Sequence, residues 1–252
     1  VFKKRVQCIW DNTAFEVFKL YPSAREKFER WDEFFDIPIY LNERNDPLFH
    51  NYLLMDVKVC PTCFFGSNDE SYFTSPPAVA PDLRVREVIN QGKALRESMA
   101  TQASNLFEET KRDLEDAVIS YRIGIFSSEG LYKVNPRRYA IEAIRKANYV
   151  LKVARLYEEV GDLEHREKWL RVGLSYFQQG LEADVKGVIT YKTLYQCAAL
   201  GVYFGQDVIA SRAFDRLNRL PERETSKELL KYLNRIRRIW EERDSYRSGF
   251  RD

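Results

Sequence analysis

The sequence predicts a mostly α protein. Helical hairpins and one long helix follow a small α+β knuckle-like N-terminal subdomain. Three observations carry this. Between Tyr139 and Asp184, apolar residues recur at helical spacing on both sides of a single break at Gly161-Asp162. A similar break returns at Gly205-Gln206-Asp207. Near the N-terminus a run of strand-forming residues leads into Cys60-Pro61-Thr62-Cys63.

The bulk properties allow one large or two small domains. The chain has 252 residues, 44% hydrophobic and 31% charged, enough for a sizeable core. Its net charge of +2 argues against a dominant nucleic-acid footprint, which needs a concentrated basic surface. Aromatic residues make up 14%, which fits aromatic cores between helices or exposed assembly patches. No apolar run is long enough to span a membrane. The chain begins at Val1 without an initiator Met, as a trimmed or mature fragment would, so the compartment is not legible there. Four cysteines fit either redox compartment.

The first expected element is a strand in VFKKRVQCIW. A short helix is expected over Ala24–Phe35, with Phe28, Trp31 and Phe35 on one face, and a strand over Leu53–Val59. That strand runs into Cys60 and Cys63. A CxxC after a strand is the usual knuckle in which two thiolates hold one side of a zinc ion. A matching pair upstream falls at Cys8-Ile9-Trp10-Asp11, where the second position is Asp. Cys8, Asp11, Cys60 and Cys63 therefore read as a Cys3Asp zinc site or as a metal-free degenerate knuckle. A third reading is a disulfide, Cys60 to Cys63 or Cys8 to one of them. His50 lies near the knuckle as a further ligand candidate, though the spacing favours Cys. A redox CxxC normally opens a helix, whereas Phe64-Phe65-Gly66 follows here.

Pro76, Pro77 and Pro81 mark residues 67–83 as a linker after the 1–66 subdomain, and Asp82 is a good helix N-cap. The stretch 84–126 has no Pro and predicts one long helix or arm, bent at Gly92, some 40 residues and about 60 Å long. Its polar middle marks Glu108 and Glu109 as an assembly contact. Phe126–Pro136 reads as a loop. The helical domain, 137–252, holds the two hairpins, 44 residues apart at Gly161 and Gly205. Ala154, Tyr157, Gly161, Leu170 and Gly173 resemble a tetratricopeptide (TPR) repeat, with Arg166 where that repeat prefers Ala. Cys197 reads as a core thiol. A final helix over Glu222–Tyr246 carries Arg235, Arg237 and Arg238 on a basic face, either a solvated cap or a binding surface. No phosphate loop, GxSxG or HExxH is present, and the two histidines are far apart, so the sequence predicts a non-enzyme.

Cys8, the block Met55-Asp56-Val57-Lys58-Val59-Cys60-Pro61-Thr62-Cys63 and the TPR-like half together resemble an uncharacterised bacterial family with paired CPxC motifs. The resemblance covers most of the chain. Two positions depart from the family pattern: Asp11 breaks the first pair, and Phe64 replaces the Gly after the second. This aromatic-rich version is similar to spirochaete members that assemble in the sheath of the periplasmic flagellar filament. That resemblance implies a secreted structural protein, needed for filament coiling and motility, with flagellin and other sheath proteins as partners. A homo-oligomer is compatible with it, and no nucleic acid or membrane partner is implied. The alternatives are a cytoplasmic zinc-knuckle/TPR scaffold binding a peptide or protein, and a thiol-redox protein using Cys60 and Cys63.

Overall fold

A computed structural model describes residues 1–32, 34–43, 45–46, 49–74, 82–182, 188–219 and 227–248. The alternating N-terminal run forms β1 (Phe2–Gln7), paired antiparallel with β2 (Ala14–Lys19) in the register Phe2 to Lys19 through Gln7 to Ala14. The six residues between them form the first knuckle turn. Pro22, at a helix start where no amide donor is needed, opens α1 (Pro22–Phe28).

The helix expected over Ala24–Phe35 stops at Phe28. Glu29 turns extended and begins β3 (Glu29–Trp31), which pairs with β4 (Pro38–Tyr40), and Tyr40 donates to the Glu29 carboxylate at 2.9 Å. Phe28 and Phe35 are buried, but Trp31 is 52% exposed. The strand expected over Leu53–Val59 is mostly a 3-10 turn, Tyr52–Met55, because the Asn51 side chain accepts from Leu53 N. Only β5 (Lys58–Val59) is extended, paired with β6 (Gly66–Ser67).

The linker prolines Pro76, Pro77 and Pro81 lie outside the described residues, as do Gly187, Pro221 and Glu222. Asp82 caps α2 (Leu83–Gln91) by accepting from Arg84 N at 2.9 Å. The long helix expected from there is broken twice. After α3 (Lys93–Ala100) the chain leaves the helical path, because the Asp116 carboxylate accepts from Ser104 N and Asn105 N at 2.8 and 3.2 Å. Leu106 is buried in that turn, a 3-10 turn at Glu109–Lys111 follows, and a reciprocal Asp113–Asp116 capping box starts α4 (Leu114–Val134). A long helix therefore exists, but it runs through the expected loop at 126–134. It is buried nearly all round, as a helix lacking a polar stripe must be. Gly124 serves close packing there: a Cβ would sit 3.0 Å from the Tyr149 ring, and β6 presses on the same turn.

The first hairpin forms as expected, α5 (Ala140–Glu159) and α6 (Leu163–Glu182), and the second is α7 (Val188–Tyr203) and α8 (Asp207–Asn218). Their turns repeat one hydrogen-bond pattern: Gly161 N to Glu158 O and Asp162 N to Tyr157 O, then Gly205 N to Val202 O and Gln206 N to Gly201 O. Gly161 and Gly205 take φ of +76° and +64°, where a Cβ is unfavourable. The expected last helix is two, α9 (Lys227–Glu241) and α10 (Arg243–Ser248).

One apolar core joins α5–α9 and includes Cys197; a second shares Leu53, Val57 and Val59 with Tyr121, Ile123, Tyr149 and Val153, so α4 and α5 are packed directly on the N-terminal segment. A third surrounds the cysteines and takes in Val85, Ile89 and Leu131. Among the described residues no helix is long and apolar enough to cross a membrane.

Candidate metal centre

Two tight turns face each other, Cys8–Asp11 after β1 and Cys60–Cys63 after β5, and their backbones are near copies. Cys8 N donates to Thr13 O at 2.9 Å and Asn12 N to Cys8 O at 2.9 Å; Cys60 N donates to Phe65 O and Phe64 N to Cys60 O, both at 3.0 Å. The residue after each turn is left-handed, Asn12 at φ 63° and Phe64 at φ 57°. Asn tolerates that region, but for Phe it costs about 1–2 kcal/mol. The second knuckle thus keeps a left-handed backbone that a Gly would adopt freely.

The four side chains converge. One ligand atom from each of Cys8, Asp11, Cys60 and Cys63 lies within 4.8 Å of every other. Cys8 Sγ is 3.7 Å from Cys63 Sγ, and Cys60 Sγ is 3.4 Å from Asp11 Oδ2. Two atoms bound to one tetrahedral zinc, sulfur at ~2.3 Å and oxygen at ~2.0 Å, sit roughly 3.5–3.8 Å apart. The Cys8–Cys63 and Cys60–Asp11 spacings match those edges, and the other pairs lie within 4.8 Å. The cysteine sulfurs are unbonded here, Cys63 Sγ facing Cys8 and Cys60 Sγ facing Asp11. The first knuckle therefore presents a carboxylate where its missing thiolate would be, and Asp11 Oδ1 also accepts from Thr13 N at 2.9 Å, which fixes its rotamer.

Charge supports the same fit. Packed together, the thiols perturb one another: hydrogen bonds from Cys63 and Cys8 hold Cys60 well below the ordinary thiol range, while those to Cys60 and Cys63, with burial, push Cys8 well above it. Arg96 of α3 is 1% exposed, and its guanidinium donates to Cys63 O at 3.0 and 3.3 Å and to Ile89 O. Among the described residues no carboxylate pairs with it. Burial lowers its pKa, and the three thiols oppose that. A zinc ion held by three thiolates and a carboxylate leaves a net charge of about −2, which suits a buried cation. Neutral thiols would leave Arg96 without a counter-charge. The donor set, its spacing and this cation fit zinc.

The shell is aromatic. Trp10, Phe65 and Tyr72 stack within 5.2–5.8 Å of one another, and Arg86 Nε donates to Trp10 O at 2.6 Å, tying the first knuckle to α2. His50 is not part of the cluster.

The other predicted residues are placed differently. Glu109 is not on an exposed arm: it is 4% exposed and accepts from Phe18 N at 2.8 Å and Lys58 Nζ at 3.2 Å, because the long helix ends before it. Glu108 is exposed beside Lys111. Of the basic face on α9, Arg235 reaches inward to the carboxylate of Asp36, Arg238 borders a cavity above it, and Arg237 is exposed elsewhere. Arg96 and Asp36 were not singled out in the sequence. Each looks there like an ordinary surface charge, and only tertiary packing gives it a role.

Fold and site define a helical-hairpin protein with a cysteine-rich knuckle cluster. The chain belongs to the family described as "Uncharacterized protein conserved in bacteria (DUF2225)", whose model matches residues 41–242. The second knuckle lies inside that match and the first, with Cys8 and Asp11, outside it. No curated protein and no solved structure matches the chain.

Proposed function

We propose that this is a non-catalytic structural protein that works by assembling with other proteins, its N-terminal region pinned by a closed Cys3Asp zinc centre. The observation that carries this is the pair of superposable knuckle turns converging four buried or half-buried ligands. A catalytic zinc keeps an open position for water or substrate, whereas four protein ligands close the sphere. When bound, the ion would supply a cross-link between β1 and β5. Asp11 and the three thiolates would hold it, Arg96 would offset part of its net negative charge, and Trp10, Phe65 and Tyr72 would shield it from water.

The assembly we infer is the sheath of the periplasmic flagellar filament, with flagellin and other sheath proteins as partners. The support is the aromatic-rich sequence similarity. The competing scaffold reading shares the zinc centre but places the protein in the cytoplasm. The redox reading fits less well, since Cys60 and Cys63 are 0% and 2% exposed and offer no surface to a dithiol substrate. Mass spectrometry of purified periplasmic filaments from the source cells tests the inference. Abundance comparable to flagellin is expected. Absence from filaments with recovery in the cytosol would overturn the sheath and favour the scaffold.

A further inference from the structure

Cys8 and Cys63 sit on different knuckles, yet their sulfurs are 3.7 Å apart and both residues are buried. Cys60, which shares a turn with Cys63, points its sulfur at the Asp11 carboxylate instead, 3.4 Å from Oδ2. The cluster therefore holds an odd number of thiols, three cysteines against one carboxylate. A carboxylate ligates a metal but cannot join a disulfide, so oxidation of this cluster yields one bond and one leftover thiol. With four cysteines, each knuckle could close on itself. Here the first knuckle has no second thiol, and Cys8 can bond only across the gap. Cys197 lies in the separate core of α5–α9 and offers it no partner.

The pairing across the gap is also the one that constrains the chain. A Cys60–Cys63 bond would lie within a turn that its own hydrogen bond already holds, Phe64 N to Cys60 O at 3.0 Å. A Cys8–Cys63 bond spans 55 residues and ties the end of β1 to the end of β5. Closing the longer loop removes more freedom from the unfolded chain, so folding favours it. From 3.7 Å the two sulfurs need to approach by roughly 1.7 Å to reach the ~2.05 Å of a disulfide. Rotation of two short side chains about χ1 can supply that.

We propose that Cys8 and Cys63 form a disulfide across the two knuckles in the metal-free, oxidised chain, with Cys60 left as a thiol beside Asp11. The proposal deepens the reading of the knuckles as a clamp between β1 and β5; it rests on their convergence and not on the ion. The oxidant is a small-molecule disulfide such as oxidised glutathione. One cysteine sulfur attacks it, forming a mixed disulfide and releasing one glutathione as the thiol. The second cysteine then attacks the protein sulfur of that mixed disulfide and releases the other glutathione. The new S–S bond replaces the one in glutathione, and the two cysteine protons end on the two glutathione thiols. The exchange takes place as the knuckles assemble or open locally, and burial then shields the product. Redox turnover, by contrast, needs thiols at the surface. With Cys8 and Cys63 bonded to each other, only Asp11 and Cys60 remain to hold an ion, so the disulfide and the closed zinc centre exclude each other. The same two strands are clamped by metal under reducing conditions and by sulfur under oxidising ones.

The test equilibrates the full chain, stripped of metal with EDTA, in glutathione buffers of rising oxidised fraction. Acid quenching, alkylation in denaturant and tandem mass spectrometry then place every bond. A Cys8–Cys63 link within one chain is expected, with Cys60 and Cys197 alkylated, and Cys60→Ser keeps the link. In the wild-type chain, free zinc at about a hundred times its dissociation constant lowers the oxidised-to-reduced ratio about a hundredfold, because the ion binds only the reduced form. A Cys60–Cys63 or Cys8–Cys60 link, a link between chains, or alkylation of Cys8, Cys60 and Cys63 alike at the most oxidising ratio overturns the proposal. So does a ratio that zinc, once bound, leaves unchanged. Elemental analysis of the reduced chain reads the zinc centre separately. No bound zinc with the Cys8–Cys63 link present removes the ion and keeps the disulfide; bound zinc with any other pairing does the reverse.

Discussion

Asp36 and Arg96 show what a single buried charge demands of its surroundings. Burial pushes the Asp36 pKa up, but Lys192, Arg235 and Tyr232 outweigh it and bring the group to about 2. An unfolded aspartate titrates near 3.9, so the folded state holds this proton more weakly. The stabilisation, on the order of 2 kcal/mol, is complete above pH ~4 and is lost as pH falls through ~2. Asp36→Asn should remove that part of the acid transition. It should also lower stability at pH 7 by about 3 kcal/mol, because three cations lose their anion; urea denaturation across pH 2–7 reads both. Unchanged acid sensitivity would show that Asp36 is not the group responsible. Arg96→Met makes a separate demand. If the cysteine cluster is an anionic zinc centre, removing the guanidinium weakens metal retention against a chelator by about tenfold or more, while a neutral cluster tolerates or prefers methionine. Zinc release monitored with a chromogenic chelator distinguishes these. The cluster of Cys8, Asp11, Cys60 and Cys63 was legible because knuckle spacing is local, whereas Arg96 meets it 33 residues beyond Cys63 through a packing contact that no spacing encodes.

Helices were legible where one face stays polar. α6 and α8 present solvated faces, and α5, though exposed only at Glu159, keeps its polar side chains periodic in the sequence, so periodicity and the two turn glycines located both hairpins. α4 fails that test because it is buried on most sides, so its second half reads as the loop Phe126–Pro136, and Gly124 within it serves close packing. The break before it was equally hidden: continuous helix propensity over 84–126 yields to two aspartates that cap amides instead. Two glycines separate conformational from steric need. A Cβ on Gly201 would sit 2.9 Å from Ala210 N, where α7 and α8 cross. Gly201→Ala should therefore destabilise by about 1–3 kcal/mol through forced separation of the helices. Gly161 has nothing within 4 Å of its virtual Cβ, so Gly161→Ala should cost only about 1 kcal/mol, from its φ of +76°. Thermal melts of the two variants should rank them in that order; the reverse order would mean that the α7–α8 crossing relaxes freely.

At the scale of the molecule, the cysteine cluster and the helical-hairpin core are separable in content. The cysteines Cys8, Cys60 and Cys63 belong to a core with Trp10, Phe65 and Tyr72, while the core of α5–α9 contains none of the four ligands. Removing a structural metal should therefore act unevenly. Loss of an ion that binds only the folded state forfeits about 4 kcal/mol when it was present at a thousand times its dissociation constant, or roughly 10 °C in a domain of this size. A chelator under reducing conditions should lower the first thermal transition by about that much and alter the near-ultraviolet signal of the Trp10–Phe65–Tyr72 cluster. Far-ultraviolet helicity should change little, because α5–α9 keep their core. Elemental analysis should find about one zinc per chain, and Asp11→Cys should bind it more tightly by completing four thiolates around the same turn. A chain that purifies without metal and melts identically with and without chelator would remove the centre from the argument. The aromatic shell would then be holding the two knuckles together by packing alone, and the left-handed Phe64 would be maintained by that packing instead of by coordination.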